Sequence, residues 1–509
     1  MPYGYNGRIL HVDLSTRRTW TEERDEIYFR TYVGGGLLGA KLLFDHVPPG
    51  ADPLGPHNLL VFASSVVAGT PAPGMARFST VAKSPLTGGI GETRTEGPFG
   101  PSLKRSGFDA IALHGAASKP VTVEIAAGTA TIRDAEDLWG STVGAATDRL
   151  TEQRLGHVAA IGPAGERLVR FASIVTDRSY QASRMGMGAV MGSKKLKALV
   201  LPETEPAPEP LADAEAVGRI AESFAAGIVE NDLTAWQYEK PGFSCWIYLH
   251  GLDAALSVNN YSAAAMDGIE NYAESEFLKR EIDELGCPDC PVRCIKAIHP
   301  AGGSPDPRAD GIHQEITGAM GVNLGITDLD AVFTANHWCN QYGLDPTSLG
   351  YTISCAIELG KQGIIDDASI PAFGDAEGVL RLVHRIAERE GIGDRLAEGS
   401  ARFAESVDGE AYAMHVKGLE MVPFEPRSQT NLALGYAVAP IGPRYDICEH
   451  DWDFDTEVGW DHTLKYSRTL GILERVPMGY IGVDKVRNFK GLLTLWSAAD
   501  ALDIGRGHG

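Results

Sequence analysis

Pro202-Glu-Thr-Glu-Pro-Ala-Pro-Glu-Pro210 separates two textures of sequence, and the fold is read outward from it. Repeated proline removes backbone donors and fixes φ, so this stretch reads as a linker and puts a domain boundary near residue 205. Upstream, from Tyr5 to about Leu201, short apolar and β-branched runs are interrupted by Gly and Pro: Gly7–Leu14, Leu59–Ala63, Asp109–His114, Val121–Ile125 and Leu196–Leu201. Runs of this length between turn residues are predicted strands. Downstream, apolar residues recur at three- and four-residue spacing over Ala214–Gly227, Leu329–Gly343, Leu349–Gln362, Ala376–Glu390 and Leu396–Ser406, which predicts helices. The expected class is α+β, with sheet first and helices after. No period of 20–50 residues repeats strictly enough for a solenoid.

At 509 residues the chain has room for two to four domains of roughly 100–200 residues each. Its net charge of −22 offers nothing basic to follow a phosphate backbone, which argues against nucleic acid as a partner. No apolar run reaches the ~18 residues that would span a bilayer. The start, Met-Pro-Tyr-Gly-Tyr-Asn-Gly-Arg, lacks a basic segment followed by an apolar one, so a cytoplasmic location is expected. Glycine is in excess, 59 residues, and clusters in loops. Seven cysteines, an odd number with three crowded together, point to a metal or redox site rather than a disulfide framework.

The crowded three form Cys287-Pro-Asp-Cys290-Pro-Val-Arg-Cys294 after Gly286. Three thiolates in so short a loop can wrap one face of a metal or cluster, with backbone amides free to bond sulfide. A compact triplet with a remote fourth ligand suits an iron–sulfur cluster, whereas zinc is usually held by separated Cys-x2-Cys pairs or by Cys with His. His299 keeps the zinc reading open, and buried thiols without metal are the third alternative. Cys245, Cys339, Cys355 and Cys448 are scattered, and Cys339 and Cys355, on apolar helical faces, read as small core residues. Two glycine-rich stretches, Arg77–Gly107 and Ser183–Lys197, set bare backbone amides beside Arg or Lys and are candidate anion-cradling loops; taken alone, such loops are more often tight turns. Neither has Walker A order or the Gly-x-Gly-x-x-Gly dinucleotide fingerprint.

Gly7-Arg-Ile-Leu-x-Val-Asp-Leu14, Lys83-Ser-Pro-Leu-Thr-Gly88, Phe99-Gly-Pro-x-Leu-Lys104, Ile161-Gly-Pro-Ala-Gly-Glu166, Gly188-Ala-Val-Met-Gly-Ser-Lys194 and the cysteine triplet occur in this order. With these motifs the chain resembles the aldehyde ferredoxin oxidoreductase family from its first ten residues to its last ten. The resemblance implies a tungsten (or molybdenum) bis-pterin and one [4Fe–4S] cluster. It implies a β-rich pterin-binding domain over residues 1–205, an α-helical domain with the cysteine triplet over 206–410, and a partial third, helical domain over 411–509. Cluster ligands are then Cys287, Cys290 and Cys294. Arg77 falls where the family bridges cluster and pterin. Arg94 and Thr95 occupy the loop that meets pterin phosphate and Mg2+; the family asparagine is here Arg94, a cation suited to pair with phosphate directly. Gln181, Ser183 and Arg184 belong to the second pterin loop. The two Asp-x-x-Gly-Leu motifs read here Asn340-Gln-Tyr-Gly343-Leu344-Asp345 and Asp500-Ala-Leu-Asp503-Ile504-Gly505, and the fourth cluster cysteine is expected where Gly505 stands.

The family's proton-transfer pair, a glutamate and a histidine beside the metal, maps onto Glu315 and Tyr445, with His450 an alternative that turns inward. Without the resemblance, Glu315 reads as a helix start and Tyr445 as a packing residue. The implied activity is two-electron oxidoreduction of an aldehyde or related carbonyl substrate, with electrons passed singly to ferredoxin or a partner iron–sulfur subunit. A homodimer or hetero-oligomer is expected. A subunit resembling the aromatic acyl-CoA reductases of the family is the neighbouring reading. A non-catalytic relative without a stable cluster is the alternative from another class, motivated by Gly505 and by a chain that stops four residues after it.

Overall fold

The structure is a computed structural model and describes residues 3–126, 128–152, 155–203, 211–444 and 451–505. The first part of the chain folds as two consecutive six-stranded sheets. The first holds β1 (Arg8–Asp13), β2 (Arg18–Glu23), β3 (Leu60–Ser64), β4 (Phe78–Lys83), β5 (Ile90–Thr95) and β6 (Ala110–His114). The second holds β7 (Val121–Ala126), β8 (Thr129–Asp134), β9 (Gly156–Ala160), β10 (Ile174–Thr176), β11 (Tyr180–Ala182) and β12 (Leu196–Pro202). Their strand orders are β2-β1-β6-β3-β4-β5 and β8-β7-β12-β9-β10-β11, the same topology twice. In each, the pair made by first and last strand is parallel, β1 with β6 and β7 with β12, and the other pairs are antiparallel.

Burial follows position in the sheet. The central strands β3 and β12 are buried at every residue, as expected of strands covered on both faces, while the edge strands β2 and β8 are largely exposed. Exposed charges on those edges keep them from pairing with another chain. The opposite edges, β5 and β11, lie against one another. The helix Gly35–His46 lays Leu38, Leu42 and Leu43 over Ile9, Val61 and Val81 of the first sheet.

After residue 211 helices dominate. Ala214–Gly227 forms over the span the sequence predicts, Leu329–Tyr342 and Ala376–Glu388 end within two residues of it, and Pro346–Lys361 starts three residues earlier than expected. Asp345 explains the earlier start: its Oδ1 accepts from the Thr347 amide, and Pro346 occupies the first turn. That helix is buried almost all round and forms the centre of the helical part. The predicted helix Leu396–Ser406 is instead two short ones, Ile392–Leu396 and Ser400–Glu405. Gly399 between them has φ +89°, and the buried Glu420 carboxylate accepts from the Ser400 amide at 3.0 Å to cap the second.

The glycine-rich stretch Arg77–Gly107 is not one loop. It contains β4, β5 and the helix Phe99–Arg105, with the two strands pairing across a hairpin from Phe78↔Thr95 to Lys83↔Ile90. Ser183–Lys197 likewise contains the helix Met187–Ser193. The linker core 204–210 and the candidates Tyr445, Cys448 and His450 lie outside the described residues. Among the described residues no helix is long and apolar enough to cross a membrane.

The first sheet depends on one buried ion pair. Lys104 Nζ donates to Asp109 Oδ1 at 2.6 Å, with both side chains about 1% exposed. Asp109 Oδ2 also accepts from the Gly7 amide at 2.7 Å, which ties the start of β1 to the turn before β6. Lys104→Met would leave the carboxylate buried beside an apolar chain and is expected to destabilise the protein by roughly 3–5 kcal/mol. Chemical denaturation checks this, and a shift under 1 kcal/mol would mean that water takes over the pairing.

Candidate active site

A three-stranded sheet of Ile282–Glu284, Lys296–Ile298 and Gly311–Ile312 builds the site. Its first two strands pair antiparallel from Ile282↔Ile298 to Glu284↔Lys296, so the cysteine loop is the connection between them. The third strand leads directly into His313-Gln314-Glu315 and the short helix Gln314–Ile316, followed by a π turn over Thr317–Gly321. One small sheet therefore aims both the thiols and the glutamate at the same space. That space is a cavity of about 350 Å³ lined by Cys287, Cys290, Cys294, His313, Glu315 and Gly505, together with residues from both large sheets.

The two sheets contribute equivalent elements. From the β4–β5 hairpin come Arg77, Arg94, Thr95 and Glu96, and from the β10–β11 hairpin and the turn after it come Gln181, Ser183 and Arg184. Asn340 also lines the cavity, accepting from Gln181 Nε2 at 2.5 Å and donating to the Ala309 and Gly311 carbonyls. Leu344 and Asp345 are fully buried behind the wall, where Asp345 starts the helix whose Pro346 and Thr347 face the cavity. Asp500 and Ile504 act on the arginines instead of lining the cavity: Asp500 pairs with Arg94 at 2.8 Å, and the Ile504 carbonyl accepts from Arg77 at 3.2 Å. Arg94 also pairs with Glu92 at 2.9 Å, so its charge sits between two carboxylates and not in the open cradle expected from the sequence.

The helix Val483–Ala501 delivers this terminal segment, and Asp503 after it packs under the first sheet, accepting from Ser79 Oγ at 2.8 Å. Burial pushes its carboxyl up to about 7 despite nearby Arg94. Only glycine fits at position 35, since a Cβ there would meet Asp503 Oδ2 at 2.2 Å. Gly505 donates its amide to the Gly74 carbonyl at 2.8 Å, which fixes it on the cavity wall with the three cysteines. His299, the alternative zinc ligand, is turned to carboxylates, with Asp310 at 2.7 Å and Asp283 at 3.4 Å.

Two residues absent from the sequence reading complete the electrostatics. Glu96 pairs with Arg77 through Nε at 2.8 Å and through Nη2, and His313 Nδ1 contacts Glu315 Oε2. Burial alone would raise Glu96, but Arg77 and His313 outweigh it and hold the carboxyl below its ordinary value. Burial alone would lower His313; the charge and hydrogen bond of Glu315, with Glu96 behind them, push it up to about 9. Arg77, Glu96, His313 and Glu315 thus alternate in sign from the cysteine side of the cavity to the glutamate.

The donor set fits the groups expected from the sequence. Burial, then Glu96 and the neighbouring thiol, push Cys294 up to about 12, and burial with the neighbouring thiols holds Cys287 well above its ordinary value, so thiolates there need added positive charge, which bound iron supplies. The Gly97 amide already points at Cys287 Sγ, 3.3 Å away. Thr95 Oγ1 and Arg184 Nε and Nη1 are buried with no hydrogen-bond partner among the described residues, although Arg184 Nε lies 3.8 Å from the Asp345 carboxylate; such donors suit an anionic ligand. Their placement on equivalent hairpins of a duplicated sheet suits a ligand made of two similar halves. Another part of the wall is aromatic, with Trp236, Phe243, Trp246, Trp452, Trp460 and Trp496 facing the cavity beside His250, Arg444 and Asp453.

Comparison with known proteins agrees with this geometry. A family profile described as aldehyde ferredoxin oxidoreductase, N-terminal domain, matches residues 9–203, and one for domains 2 and 3 of the same family matches residues 219–503. The chain is 35% identical over 447 residues to a tungsten-containing aldehyde ferredoxin oxidoreductase of Thermococcus kodakarensis, covering 86% of this chain and 73% of that one. It is 30% identical over 479 residues to an aliphatic sulfonate oxidoreductase, WOR-like subunit, of Pyrococcus furiosus, covering 86% and 74%. Among solved structures it is similar to the active-site complex BamBC of benzoyl coenzyme A reductase with 1,5-dienoyl-CoA. The TM-score is 0.83 and the identity 25%, covering 100% of this chain and 82% of that one.

Proposed function

Because the chain belongs to the aldehyde ferredoxin oxidoreductase family, we propose that it is a tungsten (or molybdenum) bis-pterin, iron–sulfur oxidoreductase acting on an aldehyde or related carbonyl compound. One observation carries the reading: three cysteines, arginines from equivalent hairpins, and the His313–Glu315 pair converge on a single cavity. In this reading the β-rich part to about residue 205 holds the pterins, the helical part to about 410 holds the cysteine loop, and the third part sets Gly505 on the cavity wall and Asp500 and Ile504 against its arginines. Cys287, Cys290 and Cys294 hold a [4Fe–4S] cluster, Arg77 lies between cluster and pterin, and Thr95 and Arg184 meet the pterin phosphates. Mg2+ at the first phosphate competes with Arg94, whose charge the neighbouring Glu92 and Asp500 already take up.

The bound groups supply two-electron chemistry at the metal and single-electron transfer to ferredoxin or an iron–sulfur partner. The protein supplies the rest. Glu315 takes the proton from a hydrated carbonyl, and His313, in contact with its Oε2, orients that carboxylate. The tryptophan wall excludes water and offers flat apolar faces to the substrate's substituent. That wall, with the likeness to a benzoyl coenzyme A reductase complex, favours an aromatic carbonyl compound, either an aldehyde or an acyl thioester. The similar complex also makes a hetero-oligomer in the cytoplasm the proposed working form.

Protein purified without oxygen is expected to carry about four irons and about one tungsten or molybdenum per chain. It is expected to reduce viologen dye with benzaldehyde faster than with acetaldehyde. Neither iron nor heavy metal in such a preparation would overturn the reading in favour of a non-catalytic relative; dye-linked reduction of an aromatic acyl thioester without aldehyde oxidation would select the second substrate.

A further inference from the structure

A separate constellation lies on the first sheet, and none of its residues lines the cavity just described. His11 on β1, Glu22 on β2, His46 at the end of the helix Gly35–His46 and His114 at the end of β6 converge under Trp20. Strand register makes this so. β1 and β2 pair His11↔Trp20 and Ile9↔Glu22, and alternation puts all four side chains on the face that the helix covers. The parallel partner β6 brings His114 opposite Asp13, two residues further along the same face.

We propose that His11, Glu22 and His46 bind a divalent transition metal, zinc being the chemical class that fits. His11 Nε2 lies 2.8 Å from Glu22 Oε2, and one ligand atom from each of the three residues lies within 4.8 Å of the others. A tetrahedral zinc with bonds near 2.0–2.1 Å needs ligand atoms about 3.3 Å apart. His11 Nε2 and Glu22 Oε2, 2.8 Å apart, would open by about half an ångström and His46 would close in by about 1.5 Å at most to reach that spacing. His46 is exposed and ends its helix, which leaves its side chain free to do so.

The surroundings are those of a ligand set held in place. With Nε2 given to the ion, His11 Nδ1–H donates to His114 Nε2, 2.9 Å away, which fixes ring and tautomer. Trp20 stacks on His11 with ring centroids 4.9 Å apart and planes 5° from parallel. The other oxygen of Glu22 is held by Arg24, leaving Oε2 to the metal. A recess of about 300 Å³ lined by Asp13, His46, His57 and His114 opens beside the cluster and gives the ion a path from solvent. Two imidazoles and one carboxylate select zinc or a neighbouring first-row ion over Mg2+ or Ca2+, which prefer oxygen alone. The fourth position is open to water.

The competing arrangement is a metal-free network, in which His11 donates to Glu22 and accepts from His114. Equilibrium dialysis of the whole protein against zinc chloride, with Mg2+ in excess, separates the two. Wild type is expected to retain about one zinc per chain more than His46→Ala or Glu22→Gln, with iron and heavy-metal contents equal in all three. His114→Ala is expected to weaken that zinc about 10–100-fold without abolishing it. His46→Ala removes an exposed side chain, so its folding is not at issue. Equal zinc in wild type and His46→Ala, or none retained by wild type at micromolar zinc, would overturn the proposal.

Discussion

Glu315→Gln is expected to lower carbonyl turnover by roughly 10²–10⁴-fold while iron and tungsten contents stay at wild-type levels. Glu315 is about 8% exposed, projects into the cavity, and is held by His313 and by the Gln314 amide at 3.2 Å. The amide has the same shape but cannot take a proton, so the variant isolates proton transfer from packing. A second readout distinguishes this role from a structural one. The wild-type rate should change as pH passes through about 9, where His313 loses its proton and Glu315 its cationic neighbour. In Glu315→Gln the charge that raises His313 is gone, and in the residual rate that change should move to lower pH. Stability is linked to the same proton. His313 is raised above its unfolded value near 6.5, so the pair's contribution is complete below that pH and is lost as pH climbs through about 9. A variant with full turnover, or with the change unmoved, would remove Glu315 from the chemistry.

The cysteine loop was legible because its chemistry is written in covalent spacing: three thiols within eight residues must share a neighbourhood whatever the fold. The long strands and helices were legible for a related reason, since burial on one face leaves a period of two or 3.6 in the sequence. The duplicated topology was not, because strand order is a property of pairing between distant segments, and β1 with β6 or β7 with β12 share no local mark. Glu96 went unnoticed although a register argument reaches it: the pairing Phe78↔Thr95 sets Arg77 opposite Glu96. The charge balance around Arg94 needs the same step. Glu92, two residues away on β5 and so on the same face, neutralises it, and Asp500 returns from the far end of the chain to finish the task. His313 shows the limit in another way. A histidine two residues before a glutamate is unremarkable until the strand Gly311–Ile312 and the helix after it turn both side chains into one cavity.

Cys294→Ala is expected to leave the protein with less than about a quarter of its iron, and Gly505→Cys to make the cluster slower to lose iron to a chelator. The first follows from ligand count. Among the described residues three cysteines line the cavity, and the others, Cys245, Cys339 and Cys355, are buried in the apolar core. Two thiolates do not assemble a [4Fe–4S] cluster that normally takes four. The second follows from position. Gly505 shares the cavity wall with the triplet, its amide is anchored on the Gly74 carbonyl, and the preceding carbonyl is gripped by Arg77, so a thiol added there starts from a fixed backbone. If the triplet holds the proposed cluster, a fourth thiolate would complete its ligand set and protect the iron from chelators and oxygen. The two variants constrain each other. If Cys294→Ala keeps its iron, the triplet does not hold the cluster. If Cys294→Ala loses it while Gly505→Cys is unchanged in chelation rate and in electron-paramagnetic signal, the fourth ligand comes from elsewhere, and Cys448 is the next residue to replace.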